Sequence, residues 1–299
     1  MRPTVAYQGE PGAFGEEAVI GWCGAAVTPV PLPTFSAVCA AVESGATDAG
    51  VLPLENSLAG TVGDALDALA AGSLRVVGEV LLPVRHQLLV LPGTGPEDIE
   101  RVSSHWQALA QCERFLAGRG WRVVPAADTA GAARDLAASG ARATAVIAST
   151  RAGERYGLEV AAADIQDADH NATRFAILVS KRSSLQLQAA GPLAPAGEER
   201  ETLITFETGH RPGNLLRALA VLADAGINLS RIESRPSGQV AWRYRFLVQG
   251  AGDAAESPLR EALRRLGEHT SSLRVLGSFK AGAPPPAGGE PSEPSAERV

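Results

Sequence analysis

The sequence predicts an α/β fold of two lobes around a cleft, followed by a small α+β domain of ferredoxin-like type. Three observations predict it. Over residues 1–182, short apolar runs alternate with helical patterns, the order expected of α/β architecture. Residues 76–90 read as nearly continuous strand, interrupted at Pro83, and the chain returns late, past Ile165; a segment of that length crosses between two lobes. From residue 201 the order is strand, helix, strand, strand, helix, strand, which is the βαββαβ unit.

Each element follows from local signals. Val5-Ala6-Tyr7 is a strand, and Gly9-Glu10-Pro11-Gly12-Ala13-Phe14-Gly15 is a glycine-rich turn leading into a helix. Its spacing is not G-x-G-x-x-G, which excludes a dinucleotide loop. A helix over 35–43 takes Thr34 or Ser36 as its cap. Residues 49–54 form a buried strand ending at Glu55, and a helix over 61–71 closes at Gly72. In the second lobe, roughly 80–165, a strand ends at 101–103 and a helix over 107–117 stops at Gly118. Residues 121–125 are a strand, Thr129 caps a helix ending at Gly140, and the strand 145–147 runs into Ser149. Strands at 159–161 and 175–179 complete the unit. Residues 183–200 are rich in Gln, Ala, Gly and Pro without periodicity, which marks a linker. The small domain then spans 201–280, with strands at 202–206, 228–233, 240–248 and 273–279 and helices at 212–225 and 258–269. The Pro/Gly/Glu/Ser-rich remainder, 281–299, is expected to be a disordered tail.

Composition removes several function classes. A formal net charge of −6 over 299 residues gives no basic footprint for nucleic acid. No apolar run reaches membrane-spanning length, and Met1-Arg2-Pro3-Thr4-Val5 enters a strand without a signal peptide. The cysteines Cys23, Cys39 and Cys112 are odd in number and show no C-x-x-C spacing, which points to a reduced cytoplasm; Cys112 reads as a buried small residue. The five His show no metal-ligand spacing, so no metal is expected.

The polar residues cluster at strand ends. Glu55-Asn56-Ser57, Ser103-Ser104 and Ser149-Thr150 each follow an apolar strand and precede a helix. Ligands of open α/β sheets bind outside the carboxyl ends of strands. Ser and Asn are also ordinary helix caps, but three such loops beside Thr173 and Arg174 favour one shared small-molecule site. Thr173, Arg174 and Phe175 supply a hydroxyl, a guanidinium and an aromatic wall where a loop enters a strand, a set suited to an anionic, ring-shaped ligand. Glu55 is either an acid whose pKa burial raises or the structural partner of an Arg. Arg174 is either a carboxylate anchor or a salt-bridge partner of Asp167 or Asp169.

The ordered motifs together resemble the prephenate dehydratase family with a C-terminal ACT domain. They are Tyr7 to Phe14, Glu55-Asn56-Ser57, Ser104 to Cys112, Tyr156-Gly157-Leu158, Ile165-Gln166-Asp167, Asn171 to Phe175 and Glu233-Ser234-Arg235-Pro236. The chain departs from the family at Trp106, where Pro is usual, and at Asn214, where Ala is usual. The resemblance implies a cofactor-free lyase with a type 2 periplasmic-binding-protein-like catalytic fold, converting prephenate to phenylpyruvate, water and carbon dioxide in phenylalanine biosynthesis. It assigns the donor to the leaving hydroxyl to Thr173, with Glu55 as a neighbour able to relay a proton. Asn56, Ser104 and Gln111 would orient the ring, and Ser57, Ser149, Arg174 and Phe175 would bind substrate. It also implies feedback inhibition by L-phenylalanine held at a subunit junction by Gly213, Asn214, Leu215, Leu216, Glu233, Ser234, Arg235 and Pro236, hence a homodimer or homotetramer. The chain begins at the dehydratase pattern, so a monofunctional enzyme is expected. Two alternatives stand beside this reading: an arogenate dehydratase, and a noncatalytic amino-acid sensor. An intact Thr173 argues against the sensor, which has no use for a proton donor.

Overall fold

The structure is a computed structural model that describes residues 2–183, 187–237 and 242–282. The expected tail lies outside the described residues from 283 onward, as do residues 184–186 of the expected linker.

The first lobe contains β1 (Thr4–Gln8), α1 (Phe14–Cys23), β2 (Thr28–Leu32), α2 (Phe35–Ser44), β3 (Ala49–Asn56), β4 (Gly60–Thr61), α3 (Gly63–Ala71) and β5 (Leu74–Pro83). The second contains β6 (Gln87–Val90), β7 (Arg101–His105), α4 (Trp106–Ala110), α5 (Glu113–Leu116), β8 (Arg122–Ala126), α6 (Thr129–Ser139), β9 (Thr144–Ala148), α7 (Thr150–Tyr156) and β10 (Glu159–Ala162). The chain then returns to the first lobe as β11 (Ala172–Ser180). The first sheet runs β2-β1-β3-β11-β5, with β4 on β3, and the second runs β10-β6-β9-β7-β8. The outgoing and returning crossings are joined: Val84 N donates to Asn171 O at 2.8 Å and Ile165 N to His86 O at 2.9 Å.

Most elements lie where the sequence places them, and the differences have local causes. Thr34 caps α2, its hydroxyl accepting from Ala37 N at 3.1 Å. Asp128, one residue before the expected Thr129, caps α6 by accepting from Gly131 N at 2.6 Å. The helix expected over 107–117 breaks into α4 and α5 around Gln111 and Cys112. Strand β2 is not among those the sequence predicts, because Pro29 and Pro31 interrupt its pattern; both are tolerated since β2 is an edge strand. The glycine-rich turn packs the two lobes together. Gly12 has φ +91°, and a Cβ there would meet the backbone of Ala152 at the start of α7.

The third unit comprises β12 (Arg200–Glu207), α8 (Asn214–Asp224), β13 (Leu229–Pro236), β14 (Tyr244–Ala251), α9 (Leu259–Glu268) and β15 (Ser272–Lys280). Its antiparallel sheet, β13-β14-β12-β15, is buried on both faces in different company. Strand alternation separates them. Ile204, Phe206 and Val248 pack under α8 and α9 with Leu222, Leu263 and Leu266. Leu203, Leu247, Leu276 and Phe279 join Leu52, Leu54, Leu66, Leu69, Val76 and Leu178 in one core with the first lobe. Gly277 makes this docking possible, because a Cβ there would collide with the carbonyl of Val76 on β5. Gly277→Ala is therefore expected to cost about 1–3 kcal/mol, visible as a lower midpoint in thermal unfolding; an unchanged midpoint would show that β15 and β5 separate without penalty.

Candidate active site

Thr173 lies on β11 opposite Asn56 of β3. Both are buried and line a cavity of about 360 Å³ between the lobes. The first lobe lines it with Gln8, Phe35, Asn56, Thr173 and Phe175, the second with His105, Gln107, Gln111 and Asp128, and the crossing with His86. A cavity of this size, partly apolar with a few convergent polar groups, suits a small organic ligand.

The polar orientations follow from two backbone anchors. Asn56 Oδ1 accepts from Leu58 N at 3.1 Å and Ala59 N at 2.9 Å. Its amide NH2 therefore points the other way, donating to Asn171 Oδ1 at 2.8 Å and to Thr173 Oγ1 at 3.0 Å. Asn171 in turn donates to Gln111 Oε1 at 3.0 Å, the same oxygen that lies 2.9 Å from His86 Nε2. His86 must then carry its proton on Nε2, since Gln111 presents an acceptor there. Two consequences bear on chemistry. Thr173 Oγ1 already accepts from Asn56, so its own proton is free to donate into the cavity. Gln111 uses only its carbonyl oxygen in these contacts, which leaves its NH2 for a ligand.

His86 is a site residue that the sequence does not single out, because it sits in the crossing with no motif around it. Burial pushes its ring below the usual histidine value of 6.5, so the folded state favours the neutral form. The corresponding stability is fully present above pH 6.5 and is lost as pH falls through the lower folded value. The thermal midpoint is expected to fall as pH drops from 6.5 toward that lower value. His86→Gln, which keeps a donor toward Gln111, should flatten the slope; an unaltered slope would assign the acid sensitivity elsewhere.

Several expected site residues lie outside the cavity lining, and strand alternation is the main reason. Thr173 and Phe175 face the cavity, so Arg174 between them faces away. It pairs with Glu79 at 2.8 Å and lies 3.7 Å from Glu55. The salt-bridge reading of Arg174 is corrected in its partners, which are Glu79 and Glu55 in place of Asp167 or Asp169, and Arg174 is not part of the cavity lining. Glu55 shares that outer face and also lies 3.6 Å from Arg231 of β13, which makes it a structural partner of arginines. Ser104 is fully buried and donates to Ile147 O at 2.5 Å, tying β7 to β9. Ser57 bridges His170 O and Ala172 N. Ser149 caps α7 and bonds Gly12 O at 2.9 Å. Ser104, Ser57 and Ser149 hold the cleft's walls in place instead of lining it. Trp106 opens α4 in place of the usual Pro and is 64% exposed, with His105 as the cap. Cys112 is buried, and burial pushes its thiol up to about 12.

Among the described residues, no group of three or more His, Cys, Asp or Glu is arranged to hold a metal ion, and no helix is long and apolar enough to cross a membrane.

In the third unit, a hollow is lined by residues 208–212 with Leu215 and Phe246. Gly213 caps α8 in the left-handed conformation. Asn214 closes the loop on itself: it donates to Gly209 O at 2.9 Å and accepts from Arg217 at 2.6 Å. Leu216 is 72% exposed. The 233–236 segment does not line this hollow. Glu233 instead bonds Thr61, and Arg235 pairs with Asp67 at 2.6 Å, while Ser234 and Pro236 alternate onto the other face.

Residues 5–183 match the family model described as prephenate dehydratase, and residues 202–268 match the one described as ACT domain. "Arogenate dehydratase/prephenate dehydratase 2, chloroplastic" of Arabidopsis thaliana is 41% identical over 292 residues, covering 93% of this chain and 73% of that protein. Among solved structures, the prephenate dehydratase of Arthrobacter aurescens in complex with L-Phe has a TM-score of 0.82 at 32% identity, covering 94% of this chain and 92% of that one. GqqA, described as a novel type of quorum quenching acylase, has a TM-score of 0.82 at 33% identity, covering 93% and 98%.

Proposed function

The chain belongs to the prephenate dehydratase family, with an ACT domain in its C-terminal part, and from that premise we propose that it is a carbon-oxygen lyase acting on prephenate, with Thr173 as the donor to the departing hydroxyl. The observation that carries the assignment is the hydrogen bond from Asn56 to Thr173 Oγ1, which leaves the threonine proton to the substrate. The reaction breaks two bonds of the ring. The carboxyl group leaves as carbon dioxide, and its bonding electrons enter the ring. The ring hydroxyl leaves from the opposite carbon and, with one added proton, becomes water. Aromatisation drives both, so the enzyme's task is to stabilise the leaving oxygen. Phe35, Phe175 and the aliphatic lining surround the ring, and an apolar wall favours formation of the neutral product. The lining also includes Ala13, Phe14 and Gly15 at the start of α1, where no side chain caps the helix; free N–H groups at a helix N-terminus suit a carboxylate.

Arogenate, with an amine where prephenate has a keto group, is the second reading. Asp128 is the one acidic side chain in a lining that includes no Lys or Arg, and, with one oxygen engaged by Gly131 N, it suits an ammonium group through the other. An acylase, as GqqA is described, fits less well. The lining hydroxyls are Thr129 and Thr173, and Thr173 receives a proton donor where a nucleophile needs a base.

We further propose that phenylalanine binds the ACT domain and lowers activity, and that the protein is at least dimeric. Support comes from the separation of the 208–215 hollow from the 233–236 segment within one chain, and from the exposed Leu216, Ile232, Trp242 and Tyr244 on the same domain. The test is an assay of the purified protein with prephenate and arogenate side by side, with and without phenylalanine, after exhaustive chelation. The expected result is phenylpyruvate from prephenate with no added metal or nucleotide. No product from either substrate would overturn the enzymatic reading, and activity restored only by a metal would overturn the cofactor-free one.

A further inference from the structure

We propose that Arg231, carried by the ACT sheet, is a positioning residue for the catalytic strand pair and the joint through which the effector-binding strand acts on Thr173. The second half of this proposal rests on the reading that phenylalanine binds the ACT domain.

Strand β3 carries an irregularity where it pairs with β11. Opposite β11, Arg174 faces Glu55 but Phe175 faces Pro53, so Leu54 is an extra residue. A bulge of this kind bends its strand and re-aims the side chains that follow. Those side chains are Glu55 and Asn56, and Asn56 is the residue that holds Thr173 Oγ1. Arg231 seizes this point. Its Nη2 donates to the carbonyl of the bulged Leu54 at 2.9 Å, and its Nε lies 3.6 Å from Glu55. The Arg231 side chain is 3% exposed, and its Nη1 has no hydrogen-bond partner.

The contact belongs to a larger closed cluster. Glu55 is shared between Arg231 and Arg174, and Arg174 is paired with Glu79. Glu79 also accepts from Gln249 of β14 at 2.8 Å and from Gly282 N at 3.2 Å. These contacts of Arg174, Glu55 and Glu79 with Arg231 and Gln249, with Glu233 also within electrostatic reach of Arg231, exist together only while the ACT sheet is docked on the first lobe. Buried charges that lose a partner are strongly penalised, so a small displacement of the sheet changes the cluster steeply.

The placement of Arg231 connects it to the effector. Successive alternate residues of β13 face the catalytic lobe: Arg231 on Leu54 and Glu55, Glu233 on Thr61, and Arg235 on Asp67. Two of these three belong to the 233–236 segment. A ligand that shifts 233–236 therefore shifts Arg231 against the bulge, two residues along the same strand. Because the ligand must favour one arrangement over the other to have any effect, release or tightening of these three contacts is the difference it selects.

The experiment uses the full-length protein and the variants Arg231→Met, Arg231→Lys and Glu55→Gln. Phenylalanine binding is measured by calorimetry, and kcat, KM and inhibition are measured on the same preparations. In Arg231→Met, phenylalanine should still bind while inhibition at saturation is largely lost. The kcat should fall roughly 5-fold or more, in the range of ordinary site-to-site couplings, with KM little changed. Lysine keeps the charge opposite Glu55 and a donor for Leu54 O, and should restore part of both properties. Should Arg231→Met fail to fold, the near-isosteric Glu55→Gln breaks the same joint from the other side and decides the matter. Wild-type kcat and full inhibition in the variants would overturn the proposal, leaving the cluster a docking contact. If phenylalanine has no effect on the wild-type protein, the effector reading and the coupling half fall together, and the kcat values with rescue by lysine still decide the positioning half.

Discussion

Thr173→Ala is expected to lower kcat by about 10²–10⁴-fold while moving KM far less. The leaving hydroxyl gains negative character only as its bond breaks, so a donor to it acts mainly in the transition state. Thr173 is fitted for this because Asn56 occupies its acceptor side. The fold should survive the change, since Asn56 retains Asn171 Oδ1 and Ala172 O as acceptors. Thermal unfolding close to wild type together with a collapsed kcat is therefore the expected pair of results. Thr173→Ser keeps a hydroxyl on the same strand position and should recover a substantial part of the rate. A near-normal kcat in the alanine variant would remove Thr173 from the chemistry.

The largest expected effect on stability is at the neighbouring position. Arg174→Met should destabilise the protein by about 3 kcal/mol, the lower end for breaking a buried pair, because it leaves Glu79, 2% exposed, with only an amide and a backbone N–H for company. The unfolding midpoint should drop by roughly 10 °C. The double variant Arg174→Met, Glu79→Gln removes both charges and should recover more than half of the loss. If Arg174 instead anchored a substrate carboxylate, the single variant would raise KM and leave the midpoint alone. These outcomes are easily told apart.

Residues 173–175 also show where the sequence is informative and where it is not. A hydroxyl, a guanidinium and a ring in succession suggest one composite site. Their position in a strand contradicts this, because consecutive side chains alternate between faces. The period-2 rule was available from the sequence and separates Thr173 and Phe175 from Arg174. The serines at strand ends illustrate a different ambiguity. Ser149 satisfies a helix start and Ser104 a neighbouring strand, and such local duties produce the same sequence pattern as a ligand loop. His86 carried no signal of its own, since it earns its place by the meeting of two crossings distant in sequence. Most elements were legible because turn chemistry closes them: Gly45, Gly140 and Gly157 each end a helix in the left-handed conformation. The docking of the ACT sheet was not legible. Leu203, Leu247 and Phe279 read as an ordinary strand interior, and nothing local says that their burial is supplied by another domain.

That shared core has a consequence for synthesis of the chain. The second lobe is contiguous and is complete once β10 has emerged. The first lobe is translated earlier yet finishes later. Its β11 must enter between β3 and β5, and its core still lacks Leu276 and Phe279 until the last strand is made. A nascent chain stopped before residue 172 presents β3 and β5 with unpaired edges, and one stopped before β15 leaves Leu54, Leu66 and Val76 without their cover. Unpaired edges and uncovered apolar faces are the features that recruit other chains. Prematurely terminated products of this gene should therefore aggregate or be degraded, and a frameshift that removes β15 should expose the first lobe's core although every residue of the cavity lining is intact.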